Sequence, residues 1–120
     1  MTELRALAII VSTRMKVLVE EVISPSRKGT TSEARQLFCY LAYKHTKHTQ
    51  KEIGAFLTNR HHSSIYDSIR KCKNYIDTEP KLRKVHKELV ELINLPVVRS
   101  DAQIFERGYH KKHQRWEAKR

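Results

Sequence analysis

The stretch TQKEIGAFLTNRHHSSIYDSIRKCKNYI, residues 49–76, decides the fold. It opens on Thr49-Gln50-Lys51-Glu52, the spacing of a capping box. The Thr49 hydroxyl can accept from the backbone of Glu52, whose carboxylate can reach back. This start predicts a short helix over about 50–57, with Ile53 and Phe56 inward. Residues 58–61, TNRH, contain no apolar side chain and predict a tight turn. A longer helix follows over about 62–76, with Ile65, Ile69, Cys72 and Ile76 on one stripe. A short helix, a four-residue turn and a longer helix are the plan of a helix-turn-helix. The N-terminal end of its second helix enters a major groove. Here that end reads Arg60-His61-His62-Ser63-Ser64, and every one of these side chains can hydrogen-bond. Backbone N–H groups at a helix start can also hold a phosphate.

Working outward, residues 24–32, SPSRKGTTS, form a polar loop with Arg27, Lys28 and Gly29 at its tip. The spacing of Thr30 and Glu33 predicts a second capping box. The helix it starts has Ala34, Leu37, Phe38, Leu41 and Ala42 on a core-facing stripe, with Arg35, Gln36 and Lys44 on the polar surface. Leu4, Leu7, Val11, Met15, Leu18 and Val22 predict a first helix over roughly 3–23, ended by Ser24-Pro25. After the break at Asp77 to Pro80, Leu82, Val85, Leu89, Leu92 and Ile93 predict a last helix ended by Leu95-Pro96. The expected fold is all-α, a compact helical bundle containing the helix-turn-helix. Residues 1–95 form the DNA-binding domain and residues 96–120 a basic C-terminal tail, an extended arm or an extra helix.

Composition agrees. Three glycines and three prolines in 120 residues favour long helices over many-stranded sheet. Two cysteines are too few for a disulfide framework. The apolar run Ala6 to Val11 is short and is followed by Arg14 and Lys16 with no cleavage pattern. It reads as helix rather than signal peptide, and the expected location is the cytoplasm, on the nucleoid. The net charge of +11 is unevenly placed. Residues 26–75 carry ten basic and three acidic side chains and residues 96–120 seven and three, while the other segments balance. Such a concentration is the electrostatic footprint of a polyanion binder.

Seven histidines raise the question of a metal. His45 and His48, with Cys39 or His61, could be drawn as ligands, but no C-x-x-C or H-E-x-x-H spacing supports them. A small metal-dependent nuclease would need clustered carboxylates. The central block offers Glu33, Glu52 and Asp67, and Glu52 is already explained by its cap. The expectation is no catalytic residue, no metal and no cofactor.

The motifs Arg35-Gln36, Glu52-Ile53-Gly54 and Arg60-x-His62-Ser63-Ser64-Ile65 carry a family likeness. The stretch from about 13 to 93 resembles the C-terminal DNA-binding domain of DnaA, the bacterial chromosomal replication initiator. That family typically shows an Arg-Gln pair, Glu-Ile-Gly, then Gly-Gly-Arg-Asp-His-Thr-Thr-Val, and the spacing between the motifs is ungapped here. The resemblance implies that His62, Ser63 and Ser64 meet base edges and phosphates in the major groove. It further implies that Arg27 enters an adjacent minor groove and that Arg35 and Gln36 contact the backbone. Lys51 and Arg60 fall at groove-edge positions. The family's basic position near the end of the Arg-Gln helix is Tyr43 here, with Lys44 beside it. Thr58-Asn59 replaces Gly-Gly, with Asn59 expected to keep the left-handed geometry of the turn. His61 replaces the aspartate; a carboxylate accepts from cytosine N4, whereas a histidine can equally donate, towards guanine or phosphate.

The family's initiators carry an ATPase domain ahead of this module, with a G-x-x-x-x-G-K-[ST] loop. The glycines here, Gly29, Gly54 and Gly108, form no such loop. The expectation is a standalone binder of double-stranded DNA at origin-type boxes, one monomer per box, acting in replication initiation or its regulation, with replication proteins as further partners. A transcriptional regulator or adaptor would use the same module.

Overall fold

A computed structural model describes residues 3–26, 28–58 and 60–105. These residues form seven helices and no strand: α1 Glu3–Met15, α2 Val19–Ile23, α3 Gly29–His45, α4 Gln50–Phe56, α5 His62–Thr78, α6 Pro80–Ile93 and α7 Asp101–Phe105. The all-α bundle expected from the sequence is present, with α3 as its axis. Ala34, Leu37, Phe38, Cys39, Leu41 and Ala42 of α3 are wholly buried, and Tyr40 nearly so. α1, α2, α4 and α5 all pack on this helix. Truncating Leu41 or Phe38 in such a setting costs about 2–5 kcal/mol.

The helix expected over 3–23 is two helices. Lys16 takes a left-handed backbone (φ 61). The amide of Val17 donates to the Ser12 carbonyl at 3.0 Å, and that of Lys16 to Thr13 at 3.2 Å. This is the Schellman pattern, which closes a helix. The chain turns there, so Val22 is buried while Leu18, expected on the stripe, is 63% exposed. The capping box expected at Thr30–Glu33 is also absent. α3 begins two residues earlier, behind Lys28 rather than Thr30, and Lys28 gives no side-chain cap; the Ser32 amide donates to the Lys28 carbonyl.

Arg35 is the largest departure from the sequence reading. It is not on the polar surface but only 4% exposed. Its Nε donates to the Val22 carbonyl (2.8 Å), Nη1 to Ser26 (2.8 Å), and Nη2 to Glu21 (2.9 Å) and Ser24 (2.7 Å). One guanidinium thereby ties α2 and the loop after it to α3.

α4 and α5 follow the expectation closely. The capping box forms as read: the Glu52 amide donates to Thr49 Oγ1 at 3.1 Å and the Thr49 amide to Glu52 Oε1 at 2.8 Å. Ile53 is buried, and the Phe56 ring lies 5.6 Å from that of Phe38. Leu57, the C-cap, is also wholly buried. α5 extends two residues beyond the expected end, and Ile65, Ile69, Cys72 and Ile76 are buried as expected. Pro80 occupies the first turn of α6, the one place in a helix where its missing N–H costs nothing. Leu89 of the expected stripe is buried, whereas Leu92 is 69% exposed.

After Asn94, whose left-handed backbone ends α6, the chain returns to α3. The amides of Val98 and Arg99 both donate to the Lys44 carbonyl, at 2.8 and 3.1 Å. Arg99 Nη1 donates to the carbonyls of Tyr43 and Thr46, and its guanidinium lies 4.1 Å over the Tyr43 ring. These donors satisfy carbonyls that the end of a helix leaves without partners. Ser100 and Gln103 then start α7 with reciprocal backbone–side-chain bonds, and Ile104 is buried. The start of the expected tail thus forms a strap across the end of α3.

Candidate nucleic-acid interface

The first turn of α5 is built around His61. Its Nδ1 accepts from the Ser63 amide at 3.2 Å and lies 2.8 Å from the Ser63 hydroxyl. A ring nitrogen that accepts from a backbone N–H carries no proton, so the neutral ring holds its proton on Nε2. His61 is therefore the N-cap of α5, a role aspartate also fills well. The His62 ring packs on it at 4.1 Å. His61, His62, Ser63 and Ser64 are all exposed, whereas Ile65 and Tyr66 directly after them are buried. The helix passes from wet to dry within one turn.

The turn before it is set by Gly54. The Arg60 amide donates to the Gly54 carbonyl at 2.8 Å. A methyl group built on Gly54 would collide with the Arg60 carbonyl oxygen, so only glycine allows α4 and the turn to lie this close. Thr58 carries the left-handed conformation (φ 62), and its hydroxyl donates to the Ile23 carbonyl at 2.7 Å. Asn59, the residue expected to hold that geometry, lies outside the described residues, as does Arg27.

Beside the first turn of α5 is an open cleft of about 360 Å³, lined by Ser32, Arg35 and Gln36 of α3 and by Arg60, Ser64, Asp67, Ser68 and Lys71. Gln36 Oε1 and Arg60 Nε are buried in the protein without a hydrogen-bond partner. Burial, and then the charge of Arg60, push the Arg35 guanidinium below its ordinary pKa. An anion between the two arginines would relieve this repulsion. Asp67 forms an exposed ion pair with Arg70, at 3.6 Å.

Of the residues expected at the interface, Arg35, Gln36, Arg60 and Ser64 line one cleft, and His61, His62 and Ser63 adjoin it. Lys51 is exposed in the first turn of α4. Lys44 is elsewhere. It stands eight residues after Gln36, about 12 Å along the α3 axis. There its Nζ donates to Tyr40 Oη at 3.2 Å and to Asp101 Oδ1 at 3.1 Å. Ser68 and Lys71 belong to the cleft but were not among the expected contacts. Their spacing from Ser64, i+4 and i+7, marks one helix face and could have found them.

The metal candidates are engaged in other ways. His45 Nδ1 is 3.2 Å from the Pro96 carbonyl, and His48 lies between Glu3 and Glu52. Burial pushes the Cys39 thiol up to about 12. No three His, Cys, Asp or Glu side chains gather into a metal site among the described residues.

Comparison with known proteins fits this geometry. The family described as "Bacterial dnaA protein helix-turn-helix" matches residues 5–72, which run from α1 through most of α5. The chain belongs to that family. Among relatives, it is similar to the chromosomal replication initiator protein DnaA of Gloeobacter violaceus, 30% identical over 80 residues. It is also similar to the DnaA proteins of Porphyromonas gingivalis, 29% over 83 residues, and Brucella abortus, 29% over 85. These matches cover 67–71% of this chain but only 17–18% of each relative. The chain thus spans under a fifth of the length of the DnaA proteins it matches. None of the described helices is long and apolar enough to cross a membrane.

Proposed function

We propose that this DnaA-family module binds double-stranded DNA sequence-specifically at origin-type boxes, one monomer per box, in the initiation or regulation of replication. One observation carries the reading. The turn Arg60 to Ser64 exposes a row of hydrogen-bonding side chains at the N-terminal end of α5, over a basic cleft holding two buried polar atoms without partners. A recognition helix presents this end to base edges. His62, Ser63 and the Nε2–H of His61 read bases. Arg60, Gln36, Ser64, Lys51 and Lys71 hold phosphates. Arg35 acts through the loop it anchors, which carries Arg27.

A binding module rather than an enzyme is supported by where the carboxylates go. Glu52 is spent in the α4 cap and Asp67 pairs with Arg70, so two of the three carboxylates of the central block are engaged in structural contacts.

Selection from random duplex DNA should return one short box. On that box, about six phosphate contacts predict a slope of log K against log salt near −5. A salt-independent affinity, or no enrichment over random duplex, would sink the reading.

A further inference from the structure

The outward face of α5 has a carboxylate at its centre. Ile65, Tyr66, Ile69, Cys72 and Ile76 are the buried side chains of this helix. At about 100° per residue, their directions centre about 190° round the helix from Asp67. Asp67 therefore stands almost opposite the core, at the crest of α5, and it is exposed. Ser63 lies about 40° to one side of it and Arg70 about 60°. On the other side Lys71 lies at about 40° and Ser64 at about 60°. The crest thus carries one acid with a cation on either flank.

A helix lying in a major groove sends the position opposite its core deepest, while positions to either side face the groove walls and their phosphates. Asp67 is the sixth residue of α5 and stands about 6 Å along the axis from Ser63. Both fall within the first two turns, the part of a recognition helix that meets base edges. The carboxylate stays open to a further partner. The Arg70 guanidinium is 3.6 Å away, longer than a hydrogen bond, with the two side chains 53% and 56% exposed. An ion pair so placed is weak. A carboxylate only accepts, and the major groove offers it two donors, cytosine N4 and adenine N6. Adenine sets the acceptor N7 beside its amino group, where it would repel a carboxylate. The cytosine edge carries its amino group alone.

We propose that Asp67 is a specificity-determining residue, accepting from the N4 amino group of a cytosine within about two base pairs of the pair that Ser63 faces. This rests on the DNA-binding reading above and adds a base contact to it. Arg70 and Lys71, on the two flanks, offset the negative charge that Asp67 brings close to the duplex. Asp67 is thus what makes the second turn of α5 selective, where a crest of cations alone would hold any sequence.

The test uses the 120-residue chain and the box that selection from random duplex returns, with each base pair replaced in turn and affinity read by anisotropy competition. At one pair the wild type should prefer cytosine over the other bases by about ten- to a hundredfold. Asp67→Ala should lose the preference at that pair and keep it at the others. Asp67→Asn replaces one acceptor with a donor, which suits adenine N6 and N7, so the preference there should move from cytosine to adenine. A gained preference cannot come from unfolding. Arg70→Gln should leave the cytosine preference in place. The proposal is overturned if every preference survives Asp67→Ala, even with affinity raised uniformly, since the carboxylate would then only repel phosphate. It is also overturned if Arg70→Gln loses the same preference, since Asp67 would then act only by holding the arginine. Failure of the underlying reading looks different, because selection with the wild type would then return no box at all.

Discussion

At the C-terminal half of α5, Lys73 is bound by Asp77 at 2.8 Å and faces Asp101, and Arg83 donates to the carbonyls of Ile76 and Asp77. Nearby, Lys44 and Tyr40 share Asp101. Beside the N-terminal end, Arg60 Nε and Gln36 Oε1 are buried with no partner, and burial, then the charge of Arg60, holds the Arg35 guanidinium below its ordinary pKa. Charge is thus paired at the C-terminal half of α5, whereas the turn and the α3 side chain beside its other end keep buried polar atoms unpaired. Pairing helps hold the bundle together, while at the other end one N–H donor and one amide oxygen are left without partners. The abundance of basic residues hides this division, and position along α5 reveals it.

The sharpest way to break the contrast is at Arg35, which touches both parts. Arg35→Leu leaves the carbonyls of Val22, Ser24 and Ser26 without their side-chain donor and that of Glu21 with the Ser24 hydroxyl alone, and stability should fall by about 3 kcal/mol in urea denaturation. Arg35→Lys should recover little of it, because a single ammonium cannot serve acceptors spread around a planar fork. A fully stable Arg35→Leu variant would return this residue to the role of a surface phosphate contact.

Next in size is Gly54→Ala. Alanine gains up to about 1 kcal/mol in helix propensity, but its methyl meets the Arg60 carbonyl. The net loss should be about 1–3 kcal/mol, with box affinity falling as Arg60 shifts. Anisotropy on the selected box together with urea melts would check both parts.

His61→Asp tests the reading end without disturbing the fold. Aspartate keeps the N-cap, so stability should change by no more than about 0.5 kcal/mol. It also exchanges an outward Nε2–H donor for an acceptor. Preference at the facing base pair should move from guanine to cytosine by about 1–3 kcal/mol. A competition assay with two boxes differing at that pair would decide, and an unchanged ratio would retire base reading by residue 61.

The smallest effect belongs to the paired end. Burial works against the charge on Asp101, but bonds from Tyr40 and Lys44 outweigh it and hold its carboxyl below the usual carboxylate range. A depressed folded pKa gives stability that is present above the unfolded value of about 3.9 and lost as pH falls through the folded one. Melts between pH 2 and 5 should therefore show an acid-sensitive component that Asp101→Asn removes. Equal acid sensitivity of the two proteins would mean the strap is not held by this carboxylate.

What the sequence made legible was local. The Thr49–Glu52 cap was readable because both partners lie within one turn, and the stripe Ile65, Ile69, Cys72, Ile76 because burial repeats with the helix. The polar end of α5 followed from the same register. Hidden from it were contacts to backbone. Arg35 finds its acceptors nine to fourteen residues upstream, and Arg99 finds Tyr43 and Thr46 more than fifty residues away. Carbonyls leave no mark in a sequence. The break at Lys16 was hidden for another reason: the apolar spacing runs through it, and lysine is not a residue that announces left-handed backbone. Thr30–Glu33 had the cap spacing, but α3 had already begun at Gly29.

The fork of Arg35 also bears on how fast and how tightly a duplex could be held. A polar loop left to itself samples many shapes, and fixing each residue on contact costs about 1–2 kcal/mol. Here the carbonyls of Ser24 and Ser26 are already pinned to α3 before any partner arrives. The ordering cost has been met in folding, so it need not be met at encounter. Loosening that loop would show first as a faster departure from DNA and a less favourable binding entropy, with every side chain that touches the duplex still in place.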